Sequence, residues 1–182
     1  FEVFAGQTSY DKFDTWLPDD TIAAFREYLI GIKGPLTTPV GRGFRSVNVT
    51  LRETFDLYAN VRPVVSMPGT RARYEDVDII TVRENTEGAY LAAEAKTSEC
   101  GSSAESKIVI TRKGSERVAR YAFDLARAAG REKVTLVHKA NILKTVSGLF
   151  LEVAREVAAD YPDIECDEMI VDATCMKLVM DP

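Results

Sequence analysis

The chain has 182 residues, a formal net charge of -5 and 28% charged residues. That length suits one domain or parts of two, and it lets roughly two-thirds of the unfolded surface be buried. The acidic balance argues against a nucleic-acid footprint, which needs a basic face, and no apolar run approaches the roughly 20 residues of a membrane span.

Phe1–Gly6 lacks the charged-then-apolar plan of a signal peptide, and no Met precedes it. Both ends read as trimmed. Three cysteines without a Cys-x-x-Cys pair, and a single histidine, argue against a Cys/His zinc site. Reduced thiols in a bacterial cytoplasm or a mitochondrial matrix are the simplest reading.

Leu17-Pro18-Asp19-Asp20 opens a helix with Ile22, Ala24, Phe25 and Leu29 on one side. Proline and two acids suit its first turn. A short apolar stretch, residues 29–32, precedes a Gly/Pro-rich loop at 34–43. The apolar spacing of Val47, Leu51, Phe55 and Tyr58 predicts a second helix from Ser46 to Tyr58.

The middle is strand-rich. Residues 60–65 read as extended, with Pro63 arguing for an edge or a strand end. Residues 77–82 form a strand ending at Arg83, and residues 107–111 form another. The polar stretch between them, 94–106, reads as a long loop or a protruding arm.

The pattern then alternates. A helix opens at Ser115, carries Val118, Ala122, Leu125 and Ala129 on one face, and closes at Gly130. Val134–Val137 is a buried strand, parallel by its composition. A helix from Thr145 to Asp160 breaks at Tyr161-Pro162-Asp163. A short strand at Met169–Val171 and a helix from Ala173 to Met180 end the chain. Such alternation specifies an α/β protein.

Candidate chemistry clusters at element ends. Lys139 follows a strand at the edge where open α/β sheets bind ligands; a solvated loop lysine is the bland alternative. Arg52, Arg62 and Arg83 each lie beside or inside an apolar element, where a guanidinium wants an anion. Glu53, Asp56 and Glu84 stand close enough to be that anion for any one of them. Taken together, the three arginines favour an anionic ligand. Tyr90 and Lys139 make a possible acid–base pair. Asp172 is a cation ligand or a helix cap, and its spacing favours the cap. The loop at 34–43 offers Lys33, Thr37 and Thr38 but lacks the Gly-Lys-Ser/Thr ending of a P-loop.

From about Trp16 onward these pieces resemble the β-decarboxylating dehydrogenases, the family of isocitrate, isopropylmalate and homoisocitrate dehydrogenases. The stretches that carry the resemblance are Gly34–Pro39, Leu51-Arg52, Asp56–Pro63, Val82–Gly88 with Tyr90, Val137–Asn141, and Val171-Asp172. Ser46-Val47-Asn48 looks like the isocitrate branch, and Asp56–Val64 like its NAD-linked members. The resemblance implies the central part of that fold: a piece of the large domain at 1–57, then most of the small dimerising domain at 58–182. It places a clasp-like arm at about 91–107. It also implies an NAD-dependent enzyme that turns isocitrate into 2-oxoglutarate.

Ser46, Asn48, Arg52, Arg62 and Arg83 would hold the substrate. Tyr90 and Lys139 would carry the acid–base chemistry, Lys33, Thr38 and Asn141 would lie near NAD, and Asp172 would bind Mg²⁺ or Mn²⁺. A homodimer or hetero-oligomer with shared active sites is implied, with Lys139 and Asp172 serving the second subunit's site. The chain departs from the family at Ala89, where Glu is usual, and at 91–94, where Ser-Gly-Ile-Glu is common. Family members are about twice as long, so this chain alone is expected to be inactive. The alternatives are a regulatory or assembly subunit without turnover, and a homoisocitrate or 3-isopropylmalate dehydrogenase. Arg62, which some regulatory subunits lose, is kept here.

Overall fold

Proline at position 18 and two aspartates after it start a helix where the sequence places one, and helices alternate with three short two-stranded sheets among the described residues. The computed structural model describes residues 1–36, 46–91, 95–178 and 180, the side chains of Tyr90 and Leu91 excepted. Two units divide the chain, Phe1–Asp56 and Leu57–Pro182. No helix among the described residues is long and apolar enough to cross a membrane.

The first unit holds α1 (Gln7–Phe13), α2 (Asp19–Tyr28) and α3 (Val47–Thr54). Its small core is tied by side chain to backbone bonds: Thr21 Oγ1 donates to the Phe4 carbonyl at 2.7 Å, and Ser9 Oγ to the Thr15 carbonyl at 2.7 Å. Phe25 and Phe55 add a ring contact at 5.7 Å. Helix α1 was not read in the sequence. Helix α3 is shorter than predicted: Asp56 adopts a left-handed φ of 47°, which stops the helix before Tyr58. The apolar stretch at 29–32 is exposed rather than core.

In the second unit, β1 (Ala59–Val65) and β2 (Asp78–Glu84) form an antiparallel ribbon in which Val61 faces Val82. A 3₁₀ turn, Gly88–Leu91, follows β2. Strands β3 (Lys96–Thr97) and β4 (Ala104–Glu105) make a small exposed hairpin in the polar stretch. The strand predicted at 107–111 does not form. Its backbone makes other bonds, the Val109 carbonyl accepting from Gly88 N–H at 2.9 Å and Thr111 serving as a helix cap.

Helix α4 (Arg112–Ala128) therefore begins three residues before Ser115. Its buried face holds Val118, as predicted, with Ser115, Ala119, Phe123 and Ala126, while Ala122 and Leu125 are half-buried and Ala129 is exposed, because the fully buried Phe123 ring sets which side turns inward. Gly130 ends the helix region with a φ of 65°. Strand β5 (Lys133–His138), helix α5 (Val146–Ala158) and strand β6 (Glu165–Ile170) form a parallel strand–helix–strand unit, with His138 opposite Ile170. Helix α6 (Val171–Lys177) starts where β6 stops, so Val171 is helical and not strand.

The core of this unit joins Phe123, Leu136, Leu151, Ala154, Val157 and Tyr161. Tyr161 stacks on Phe123 at 5.0 Å and donates its hydroxyl to Asp124 at 2.8 Å. Strand β5 is less buried than predicted. Leu136 faces the helices, while Val137, one residue on and so on the opposite face, is 39% exposed. Exposed ion pairs register α4 against α5, as in Arg112 with Glu152 at 2.7 Å; solvent screens them, and the aromatic core carries the packing.

Removing the Phe123 ring leaves a cavity at the centre of this core. Phe123→Ala is expected to lower the unfolding free energy by about 3–5 kcal/mol in urea titrations. A loss below about 1 kcal/mol would contradict this description of the core.

Candidate functional site

Side chains alternate between faces along a strand, and residues paired across an antiparallel ladder share a face. Arg62 pairs with Thr81 and Arg83 with Asn60, so both arginines lie on one face of the β1–β2 ribbon. They are diagonal neighbours, with Cα atoms about 7–8 Å apart in such a pairing. Asp78, Ile80, Val82 and Glu84 occupy the other face, where Asp78 meets Arg131 of the region after α4 at 2.6 Å.

Arg62 is exposed, and its Nε donates to Asn60 Oδ1 at 3.2 Å. Among the described residues no carboxylate pairs with it. Glu84, close by in sequence, points elsewhere: it accepts from the Thr86 backbone N–H at 2.8 Å and the Glu87 N–H at 2.7 Å, with Arg117 3.9 Å away. The ribbon thus presents two guanidinium groups on one face, and guanidinium forks suit carboxylates.

In the first unit, Asn48 and Arg52 are four residues apart on α3 and so share a face of it. Asn48 Oδ1 is buried and has no hydrogen-bond partner among the described residues. An unmet buried amide oxygen is destabilising by about 1–3 kcal/mol. Ser46 stands at the N-cap of α3 without a side-chain cap bond. Lys33 is exposed and donates to the Gly34 carbonyl at 2.9 Å. Thr37, Thr38 and the rest of that loop to residue 43 lie outside the described residues.

Lys139 and Asp172 come together. Each follows the carboxyl end of a strand, β5 and β6, and these strands are parallel neighbours. Their side chains form a direct ion pair, Lys139 Nζ donating to Asp172 Oδ2. Lys139 is further fixed by its backbone N–H, which donates to Ser147 Oγ at 2.8 Å. Asn141, two residues on, is exposed. Asp172 does not cap α6: it lies within the first turn, Ile170 holds the cap position, and no side-chain cap bond forms. The hydrogen bond from Lys139 holds the Asp172 carboxyl below the usual carboxylate range.

Tyr90 lies in the 3₁₀ turn after β2, and its side chain is outside the described residues. Gly88 enters that turn with a φ of 86°, a conformation a side chain would strain. Among the described residues no group of three or more His, Cys, Asp or Glu could hold a metal ion. Asp172 offers one hard oxygen donor, and a divalent ion takes six or more ligands, so these residues do not make a metal centre by themselves. Cys100, in the β3–β4 turn, is pulled down to a pKa of about 7 by the Ser102 hydroxyl and backbone and by Ser98, and it stands apart from the residues above. Glu87, Thr111 and Gly114 were not singled out in the sequence, since no local signal links positions so far apart.

The model of the isocitrate/isopropylmalate dehydrogenase family matches residues 1–182, extending the resemblance back from Trp16 to the first residue. The chain belongs to this family. It superposes on the crystal structure of isocitrate dehydrogenase from Methylococcus capsulatus with a TM-score of 0.93 and 59% identity, covering 98% of this chain and 53% of that one. It is 49% identical to the mitochondrial NAD isocitrate dehydrogenase catalytic subunit 5 of Arabidopsis thaliana, over all of this chain and 48% of the relative. It is 48% identical to the chloroplastic 3-isopropylmalate dehydrogenase of Solanum tuberosum, over all of this chain and 50% of the relative. The chain thus carries part of the family fold and spans about half the length of these relatives.

The Lys139–Asp172 pair sets an acid dependence. A carboxyl lowered on folding stabilises the fold fully above its unfolded pKa of about 4, and that contribution is lost as pH falls through the lowered value. Asp172→Asn should therefore lose less melting temperature than the unsubstituted protein between about pH 5 and pH 2. Equal losses in the two proteins would contradict the pairing.

Proposed function

We propose that the protein containing this chain catalyses the NAD-linked oxidative decarboxylation of isocitrate to 2-oxoglutarate. The observation that carries this reading is the shared face of Arg62 and Arg83, with no carboxylate on Arg62 among the described residues. A tricarboxylate supplies a carboxylate for Arg62 and more than one group for a surface that carries two guanidinium forks. Family membership and the names of the relatives support the reaction class. Identity alone does not select the substrate, because a relative named for isopropylmalate is about as similar as one named for isocitrate. Ser46 and Asn48 favour isocitrate, since an extra carboxylate wants polar groups there, and the open amide of Asn48 agrees. Homoisocitrate and 3-isopropylmalate are the runner-up substrates.

In this reading Ser46, Asn48, Arg52, Arg62 and Arg83 are assigned to the substrate's carboxylates. Lys139, after passing its own proton to solvent, helps remove the proton of the substrate hydroxyl as it is oxidised. After CO₂ leaves, Tyr90 delivers a proton to the carbon of the resulting enolate. Lys33, Thr38 and Asn141 are assigned to the nicotinamide cofactor, which supplies the hydride acceptor when bound. Asp172 contributes one ligand to Mg²⁺ or Mn²⁺, a Lewis acid for the developing carbonyl, completed by residues other than those described here. Residues 1–57 are assigned to the large domain and 58–182 to the small, dimer-forming one, with the hairpin near 91–107 as a clasp between subunits. Lys139 and Asp172 then serve the second subunit's site. The relative named mitochondrial, and the free cysteines, support a mitochondrial matrix or a bacterial cytoplasm.

The Lys139–Asp172 pair also favours a second reading. Two groups that neutralise each other are as suited to a regulatory or assembly subunit as to a catalytic one. The deciding experiment is NADH formation from isocitrate with Mn²⁺ by the full-length protein, with isopropylmalate and NADP⁺ as controls. Turnover of isocitrate with NAD is expected. Silence in a folded, oligomeric protein would move the assignment to the regulatory reading. Within the catalytic reading, Lys139→Met should lower turnover at least about a hundredfold with isocitrate affinity kept. Arg62→Ala should weaken isocitrate binding by about 1.5–3 kcal/mol, read by calorimetry.

A further inference from the structure

The turn that leads from β2 to Tyr90 is fastened by carboxylates. Glu87 Oε2 accepts from the Thr111 backbone N–H at 2.8 Å, and Glu87 Oε1 from the Thr111 hydroxyl at 2.5 Å. Thr111 is the N-cap of α4, and the same hydroxyl accepts from Gly114 N–H at 3.0 Å. The carboxylate thus sits against a helix N-terminus, where the peptide dipoles favour negative charge.

Gly114 is what lets it come so close. A Cβ there would lie 2.5 Å from the carboxyl atoms of Glu87. One residue on, Gly88 N–H donates to the Val109 carbonyl at 2.9 Å, a second tie from the turn to the segment before α4. Behind it, Glu84 accepts from the Thr86 and Glu87 backbone N–H groups, and Arg117 of α4 donates to Thr86 Oγ1 at 2.6 Å. The turn and the start of α4 border an open hollow of about 270 Å³, lined by Glu84, Glu87, Gly88, Ala89, Ser115 and Phe150 among others. The hollow leaves the carboxylate ties as the contacts that fix the backbone from Glu84 to Gly88 among the described residues.

We propose that Glu87 is a positioning residue for Tyr90: clamped onto Thr111 across the space left by Gly114, it sets the backbone from which Tyr90 springs. This rests on the reading of Tyr90 as the proton donor. Arg83 lies upstream in β2, where the ladder to Asn60 already fixes it. Loss of the clamp therefore acts on proton delivery and not on substrate grip.

The test uses the full-length protein. Glu87→Ala is expected to lower kcat with isocitrate roughly tenfold to a hundredfold, as small misplacements of a reacting group do, with KM changed less than about twofold. Thr111→Ser, which keeps both donors, should stay within about twofold of the unsubstituted protein. In a Tyr90→Phe background the Glu87→Ala loss should vanish, because the group it positions is gone; a purely structural role would leave that loss intact and overturn the proposal. Amide hydrogen exchange gives a readout independent of turnover. Residues 86–91 should lose protection in Glu87→Ala while β2 and the middle of α4 keep theirs. Unchanged exchange at 86–91, or loss spread through α4, would overturn the clamp. If the full-length protein is silent with every substrate but its turn is still freed by Glu87→Ala, the dehydrogenase reading and the catalytic part of the proposal fall, and the clamp stands.

Discussion

The period of two along a β-strand is the constraint on which the candidate site depends. Once Asn60 pairs with Arg83, Arg62 must pair with Thr81, and both guanidinium groups are delivered to one face. A slip of one residue in either strand would send one arginine to the face that meets the region around α4. The register is secured from that opposite side, where Val61, Ile80 and Val82 lie and Arg131 holds Asp78. The two guanidinium groups are thus held on one face by apolar pairing and an ion pair behind them.

The second grouping obeys the same logic with parallel strands. Strands β5 and β6 end side by side, and the residues just beyond them, Lys139 and Asp172, meet without any long-range search. Helix α5 makes the crossover, and the Phe123–Tyr161 core holds it there. The lysine and the aspartate then stand at the carboxyl edge of the strands, where open α/β sheets place ligands. A site that brings in further charges would have to redistribute that pair.

Much of this was legible because it is local. The lysine junction showed in a four-residue apolar run between charged flanks, and the arginines showed as charges inside apolar elements. The two strands of the ribbon were readable from β-branched residues, and so were the helices that became α2, α4 and α5. Where the structure differs, a non-local partner or a backbone detail decides. The spacing of Val47, Leu51, Phe55 and Tyr58 continues past Thr54, but the left-handed Asp56 ends α3. The apolar run at 107–111 has a strand's composition, yet its bonds go to Gly88 and Glu87. Asp172 had the spacing of a cap, and Lys139, 33 positions away, took its carboxylate instead. The clamp of Glu87 on Thr111 was illegible for the same reason: its halves are 24 residues apart.

The central claim is that the ribbon face carrying Arg62 and Arg83 holds the substrate's carboxylates. A crystal structure of the full-length protein with isocitrate tests it most directly, through the distances from the two guanidinium groups to the ligand. The account predicts carboxylate oxygens within about 2.7–2.9 Å of both, the range of charge-assisted bonds. Isocitrate bound elsewhere, with Arg62 still turned to Asn60 and facing solvent, would contradict it.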